Sequence, residues 1–179
     1  MTPVEIIGLF DQFLSERAET FSAVVIGGAA LAILGFISRE TRDCDILDPE
    51  IPESIRKASV LFAKQINKQG HMLRADWLNN GPESLKRHLP AKWENRLIPL
   101  FQGKSVSLQT LGRSDLLKTK LFAFCDRGFD RQDCLALRPT KEELLECLPW
   151  VQEQDANKDW PNHVATSLGA LAKELGYGL

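Results

Sequence analysis

The sequence predicts an α/β (α+β) fold, a small mixed sheet flanked by helices and followed by C-terminal helices, on three observations. The β-branched run Val24-Val25-Ile26 stops at Gly27-Gly28 and passes into Ala29-Ala30-Leu31, the pattern of a strand, a tight turn and a helix. A second strand-like run, Asp43-Cys44-Asp45-Ile46, comes soon after it. A third, residues 105–111, alternates apolar Val106 and Leu108 with Ser105, Ser107 and Gln109, as a half-buried strand does. Stretches of helical spacing separate these runs, which is how an α/β core is ordered along a chain.

Thr2-Pro3-Val4-Glu5 is a helix start, with threonine as N-cap, proline at the first helical position and glutamate three residues after the cap. Cap and glutamate can each satisfy the other's backbone N–H. Ile6, Leu9, Phe10, Phe13 and Leu14 then form one apolar stripe. The strand–turn–helix–strand unit covers 23–47. A turn through Asp48-Pro49-Glu50-Ile51 leads to a helix over 52–68 that buries Ile55, Ala58, Leu61, Phe62 and Ile66 and stops at Gly70. Residues 71–76 read as a strand ending at Trp77-Leu78-Asn79-Asn80-Gly81, and 82–89 as a short helix closed by Pro90. The stretch 91–103 is assigned no element, and Trp77 and Trp93 are read as core or cleft-wall residues.

After the 105–111 strand, Ser114 is the expected N-cap of a helix over 115–127 with Leu117, Leu121 and Phe124 as its core stripe. Thr140-Lys141-Glu142-Glu143 repeats the capping-box pattern ahead of Leu144, Leu145 and Leu148, and Pro149 is expected to end or kink that helix. A last helix from Pro161 carries Val164, Leu168, Leu171 and Leu175 and stops at Gly176. The expected division is a core over 1–135 and a helical extension over 136–179 packed on it.

At 179 residues, 44% hydrophobic and 26% charged, the chain is long and apolar enough to bury a core. A formal net charge of −2 leaves no global basic surface for nucleic acid, so any RNA contact would need a local patch. Cys44, Cys125, Cys134 and Cys147 show no C-x-x-C spacing and read as reduced thiols of a cytoplasmic protein. The N-terminus lacks a signal-peptide pattern, and no apolar run approaches the ~20 residues that span a bilayer. His71, His88 and His163 are scattered, which gives little support to a histidine-based metal or nucleophile site.

In an extended chain, Asp43 and Asp45 leave on one face while Cys44 and Ile46 point to the core. Two adjacent carboxylates repel, and a divalent cation removes the conflict. Mg²⁺ (or Mn²⁺) is the expected ion, because Mg²⁺ takes one or two carboxylates together with substrate phosphates and water. At Gly27 and Gly28 no Cβ blocks an anion approaching the backbone N–H groups of a helix start. A triphosphate would lie between the two.

The order G-G-x-A-L and then R-x-T-x-D-x-D-I resembles the signature of the polymerase-β-like nucleotidyltransferase superfamily. More narrowly it resembles the AbiEii-like branch of toxin–antitoxin and phage-defence systems. The matching residues are Gly27, Gly28, Ala30, Leu31, Arg39, Thr41, Asp43, Asp45 and Ile46. A second block resembles the same branch: Asp115-Leu116-Leu117, Lys120-Leu121, Ala123, Arg127, Asp130 and Asp133. The resemblance implies transfer of a nucleoside monophosphate from an NTP to a hydroxyl of RNA such as tRNA, of a protein or of a small molecule. It also implies a possible cognate toxin or antitoxin. Asp43 and Asp45 would hold the metal, with Asp76 in the slot of a third carboxylate or satisfied within a turn. Gly27, Gly28, Arg39, Thr41 and Lys120 would contact nucleotide phosphates. Arg127, Asp130 and Asp133 are read first as structural ion pairs. The rival expectation is a non-catalytic antitoxin or regulatory module on the same fold.

Overall fold

The computed structural model describes residues 1–38, 43–81 and 83–178, the side chains of 83 and 84 excepted. The chain forms two compact units, Met1–Leu111 and Gly112–Leu179.

The first unit is built on a five-stranded mixed sheet in the order β3-β2-β1-β5-β4. Its strands are β1 (Phe21–Ile26), β2 (Cys44–Asp48), β3 (Leu78–Asn79), β4 (Ile98–Gln102) and β5 (Val106–Thr110). β1 pairs antiparallel with β2 and parallel with β5, β2 pairs parallel with β3, and β4 pairs antiparallel with β5. Helices α1 (Pro3–Ser15), α2 (Gly27–Ile33) and α3 (Glu53–Lys68) belong to this unit. The expected capping box forms at α1: Thr2 accepts the Glu5 N–H and Glu5 accepts the Thr2 N–H.

The core of this unit holds an aromatic cluster. Phe10 and Trp77 meet edge to face with ring centroids 5.2 Å apart, and Phe62 lies 5.2 Å from Phe10 and 5.4 Å from Phe13. The Trp77 indole donates to the Ser59 carbonyl, which satisfies its polar atom inside the core. Trp77 and Trp93 are both buried. On α1, Ile6, Phe10, Phe13 and Leu14 are buried as expected, while Ile7 is buried and Leu9 exposed; on α3, Leu61 is exposed while Ser59 and Ala63 are buried.

Residues 71–76 do not form a strand. The Asn67 amide takes both backbone groups of Leu73, donating to its carbonyl at 2.9 Å and accepting its N–H at 2.7 Å. Those groups would otherwise be needed in a sheet ladder. The strand begins later, at Leu78. Within 91–103, where the sequence predicts no element, β4 forms a strand; it contains Pro99 and lies at the sheet edge, where proline is tolerated. The short helix expected over 82–89 is a 3₁₀ turn, Glu83–Arg87.

The second unit contains α4 (Arg113–Arg127), α5 (Arg131–Leu137), α6 (Lys141–Gln152) and α7 (Trp160–Glu174). Gly112, not Ser114, is the N-cap of α4, and Gly128 ends it at φ +75°. The capping box at Thr140 forms with Glu143, and Arg113 reaches the same glutamate through two hydrogen bonds of 2.6 and 3.0 Å. Pro149 does not end α6, which continues to Gln152. Cys147 takes the buried position expected for Leu145, and Phe124 is half-buried beside the buried Cys125. All four cysteines are free and buried. Among the described residues no helix is long and apolar enough to cross a membrane.

Candidate functional site

β1 ends at Ile26, which stands opposite Asp45 in the β1–β2 register. The chain leaves β1 through Gly27 at φ +76°, and α2 begins there. That backbone region favours glycine, because an L side chain there crowds the following carbonyl. A second reason is spatial. A Cβ at position 27 would lie 2.6 Å from Asp45 Oδ2, so the missing side chain is what lets the carboxylate approach the bend.

Exposure along the start of β2 alternates as an extended chain requires. Cys44 and Ile46 are buried, while Asp43, one residue before the strand, and Asp45 are partly exposed. Burial, with the charge of Asp45 next to it, pushes the Cys44 thiol up to about 12. It is therefore a packed apolar group at neutral pH rather than a nucleophile. Asp43 borders a small, largely apolar depression that is also lined by Pro3, Ile6, Ile7, Ala29, Cys44 and Trp77.

The other oxygen of Asp45, Oδ1, accepts a hydrogen bond of 3.3 Å from Asn79 Nδ2. Asn79 pairs with Asp45 in the β2–β3 register. Its own Oδ1 accepts the Gly81 N–H at 2.7 Å. In the sequence Asn79 carries one signal, its position in an Asn-Asn-Gly run, which by itself indicates a turn.

Asp76 lies on the turn before β3 and is largely exposed. Both of its oxygens accept from Arg74, at 2.9 and 2.6 Å. The hydrogen bond from Arg74 holds the Asp76 carboxyl below the usual carboxylate range, and the Arg74 guanidinium is raised in turn. Arg74 also stands 3.9 Å from Asp43 Oδ1. Among the described residues no three His, Cys, Asp or Glu side chains are brought together as a metal-holding group. Arg39 and Thr41 lie outside the described residues.

Lys120 belongs to the second unit. It is buried, and its ammonium donates to Asp130 Oδ1 at 2.8 Å and to Asp133 Oδ2 at 2.7 Å. Burial alone would depress its pKa, but the two carboxylates outweigh burial and raise it. Arg127 adds a longer contact to Asp130, at 3.3 Å. Lys120, Arg127, Asp130 and Asp133 of the second sequence block thus form an ion-pair cluster between α4 and the start of α5.

The chemistry open to the first-unit site is the binding of a hard cation and an anion side by side. Asp43 and Asp45 offer carboxylate oxygens, and the bend offers the backbone of Gly27, which has no Cβ of its own and against which Asp45 lies. A family model described as "Nucleotidyltransferase of unknown function (DUF6036)" matches residues 4–145. No curated protein and no solved structure matches the chain.

Proposed function

The chain belongs to this family of nucleotidyltransferases, and from that premise we propose that it transfers a nucleoside monophosphate from an NTP to a hydroxyl, with Mg²⁺ (or Mn²⁺) held by Asp43 and Asp45. The observation that carries this reading is the carboxylate of Asp45 seated against the Cβ-free face of Gly27, where α2 begins. The donor set fits the ion: two carboxylates from the chain, with the remaining positions left to phosphate oxygens and water. When bound, the cation neutralises triphosphate charge and polarises the phosphoryl group under attack.

The residues of the chain bind and orient. Asp45 is held in place by Asn79 on one oxygen and faces the bend with the other. Backbone at Gly27 and Gly28 would receive phosphate through local N–H groups; α2 has seven residues, so its macrodipole adds little. In the transfer, the acceptor oxygen forms a bond to the α-phosphorus and the bridging P–O bond to the β-phosphate breaks. Pyrophosphate leaves, and the hydroxyl proton passes to water. Arg39 and Thr41 are assigned to phosphate contacts on the resemblance alone. Lys120, whose ammonium donates to Asp130 and Asp133 within the second unit, is likewise assigned to a phosphate contact on the resemblance alone. Asp76 contributes by holding Arg74, whose guanidinium tempers the charge at Asp43.

The finer assignment, to the AbiEii-like branch with a cognate toxin or antitoxin and an RNA or protein acceptor, is supported by the two sequence blocks. Four free buried thiols suit a cytoplasmic location. A second reading, a nucleotide-binding module without transfer activity, is favoured by one observation: an amide stands on β3 beside Asp45. Incubation of the protein with Mg²⁺ and each α-³²P-labelled NTP, in total cellular RNA or lysate, separates the two. Label on a macromolecule that disappears with Asp43→Asn and Asp45→Asn supports transfer. Saturable Mg²⁺-dependent NTP binding with no label transferred supports the module.

A further inference from the structure

Resting on that reading, we propose that Asn79 is the positioning residue of the cation site: its amide aims the Asp45 carboxylate at the Gly27 bend without adding charge, so the site works on two carboxylates. The placement follows from register. β3 runs parallel to β2 with Leu78 beside Cys44 and Asn79 beside Asp45. Leu78 and Cys44 are both buried, so alternation sets Asn79 and Asp45 together on the opposite face.

The orientation of the amide is decided by its surroundings. Asn79 Oδ1 accepts the Gly81 N–H at 2.7 Å, which turns the NH₂ group to Asp45 Oδ1. Position 81 must be free of a side chain for this, because a Cβ there would lie 2.7 Å from Asn79 Oδ1. The next residue, Asn80, anchors the strand. It accepts the Ile51 N–H at 2.8 Å and donates to the Ile46 and Pro49 carbonyls at 3.1 and 3.0 Å. Each oxygen of Asp45 therefore has its own neighbour: an amide donor on Oδ1 and the glycine bend on Oδ2.

An aspartate at 79 would have the same shape and the opposite effect. It would place a third carboxylate on Asp45 Oδ1, where the amide now donates. Without a cation the two would repel; with one they would form a richer ligand set. Outer-shell partners of ligating carboxylates typically carry a 10–100-fold share of metal affinity, and added ligand charge tightens binding by similar factors.

The test uses the full chain and Mn²⁺, counted by electron paramagnetic resonance, with α,β-methylene analogues of the four NTPs. Relative to wild type, Asn79→Ala should weaken Mn²⁺ binding roughly 10–100-fold. Asn79→Asp should tighten it by about tenfold or more, and melt lower than wild type without metal but not with it. Should Asn79→Ala fail to fold, the isosteric Asn79→Asp decides alone. If wild type binds Mn²⁺ and Asn79→Asp matches it, or is weakened to the same degree as Asn79→Ala, Asn79 is only structural and the nucleotidyltransferase reading stands without it. If wild type binds no Mn²⁺ and Asp45→Asn changes nothing, the underlying reading fails and this inference falls with it.

Discussion

Gly27 shows how one missing side chain serves both backbone and site. An L residue in its left-handed conformation costs roughly 1–2 kcal/mol, and a Cβ 2.6 Å from Asp45 Oδ2 forces the carboxylate aside. Gly27→Ala should therefore lower stability by about 1–3 kcal/mol in urea denaturation and abolish Mg²⁺-dependent NTP binding by calorimetry. Gly70→Ala is the control, because φ there is +89° but nothing lies within 4 Å of an added Cβ. It should show the backbone cost alone and bind NTP as wild type does. Equal losses of binding in the two variants would remove the close approach from the account. The bend and Asp45 were legible because strand, turn and strand leave a local pattern. Asn79 was not, since its partner is 34 residues away and register between distant strands is not written in neighbouring residues.

Among the elements, the β4–β5 hairpin is tied to α1 by one carboxylate. Asp11 accepts the N–H groups of Ser105 and Val106 at 2.7 Å each and of Lys104 at 3.2 Å. A Cβ on Gly103 would fall on that carboxylate. Partial burial acts to raise the Asp11 pKa, but the three backbone donors outweigh it and hold it below the usual 3.8. A depressed carboxylate pKa contributes stability in full above the unfolded value, and this is lost as pH falls through the folded one. Asp11→Asn should cost about 1–2 kcal/mol at pH 7, toward the low end for hydrogen bonds to a charged group because the site is partly solvated. The gap between variant and wild type in urea denaturation should hold down to about pH 5 and narrow below pH 4. A gap independent of pH would mean that shape, not charge, ties the hairpin down. Two helix starts were legible, as both capping boxes formed where Thr2 and Thr140 placed them, whereas α4 is capped by Gly112 and not by Ser114. Strands fared less well. Leu73 lost its ladder to the Asn67 amide, and β4 carried Pro99 where a central strand would not.

For the whole molecule, charge limits which acceptors suit the site. The formal net charge of −2 gives no long-range attraction for a polyanion, so on the proposed reading NTP affinity would come from local groups and a bound cation. An RNA acceptor would rest on a few local cations. The stretch 83–96 supplies Lys86, Arg87, Lys92 and Arg96, but Lys86 is paired with Asp48 and the Arg96 guanidinium is tied to the Ala91 and Lys92 carbonyls. Each phosphate contact on single-stranded RNA contributes a slope of about −0.7 in log K against log salt, and non-specific binders commonly reach dissociation constants of about 10⁻⁴–10⁻⁶ M at physiological salt. Fluorescence anisotropy with a generic single-stranded RNA should give binding no tighter than about 10⁻⁴ M in that salt, with a slope no steeper than about −2, equivalent to roughly three contacts. Micromolar affinity with a slope near −5 would require seven or so cations acting together, more than that stretch holds. RNA would then be the favoured acceptor over a protein or small-molecule hydroxyl, bound through a surface well beyond the glycine bend.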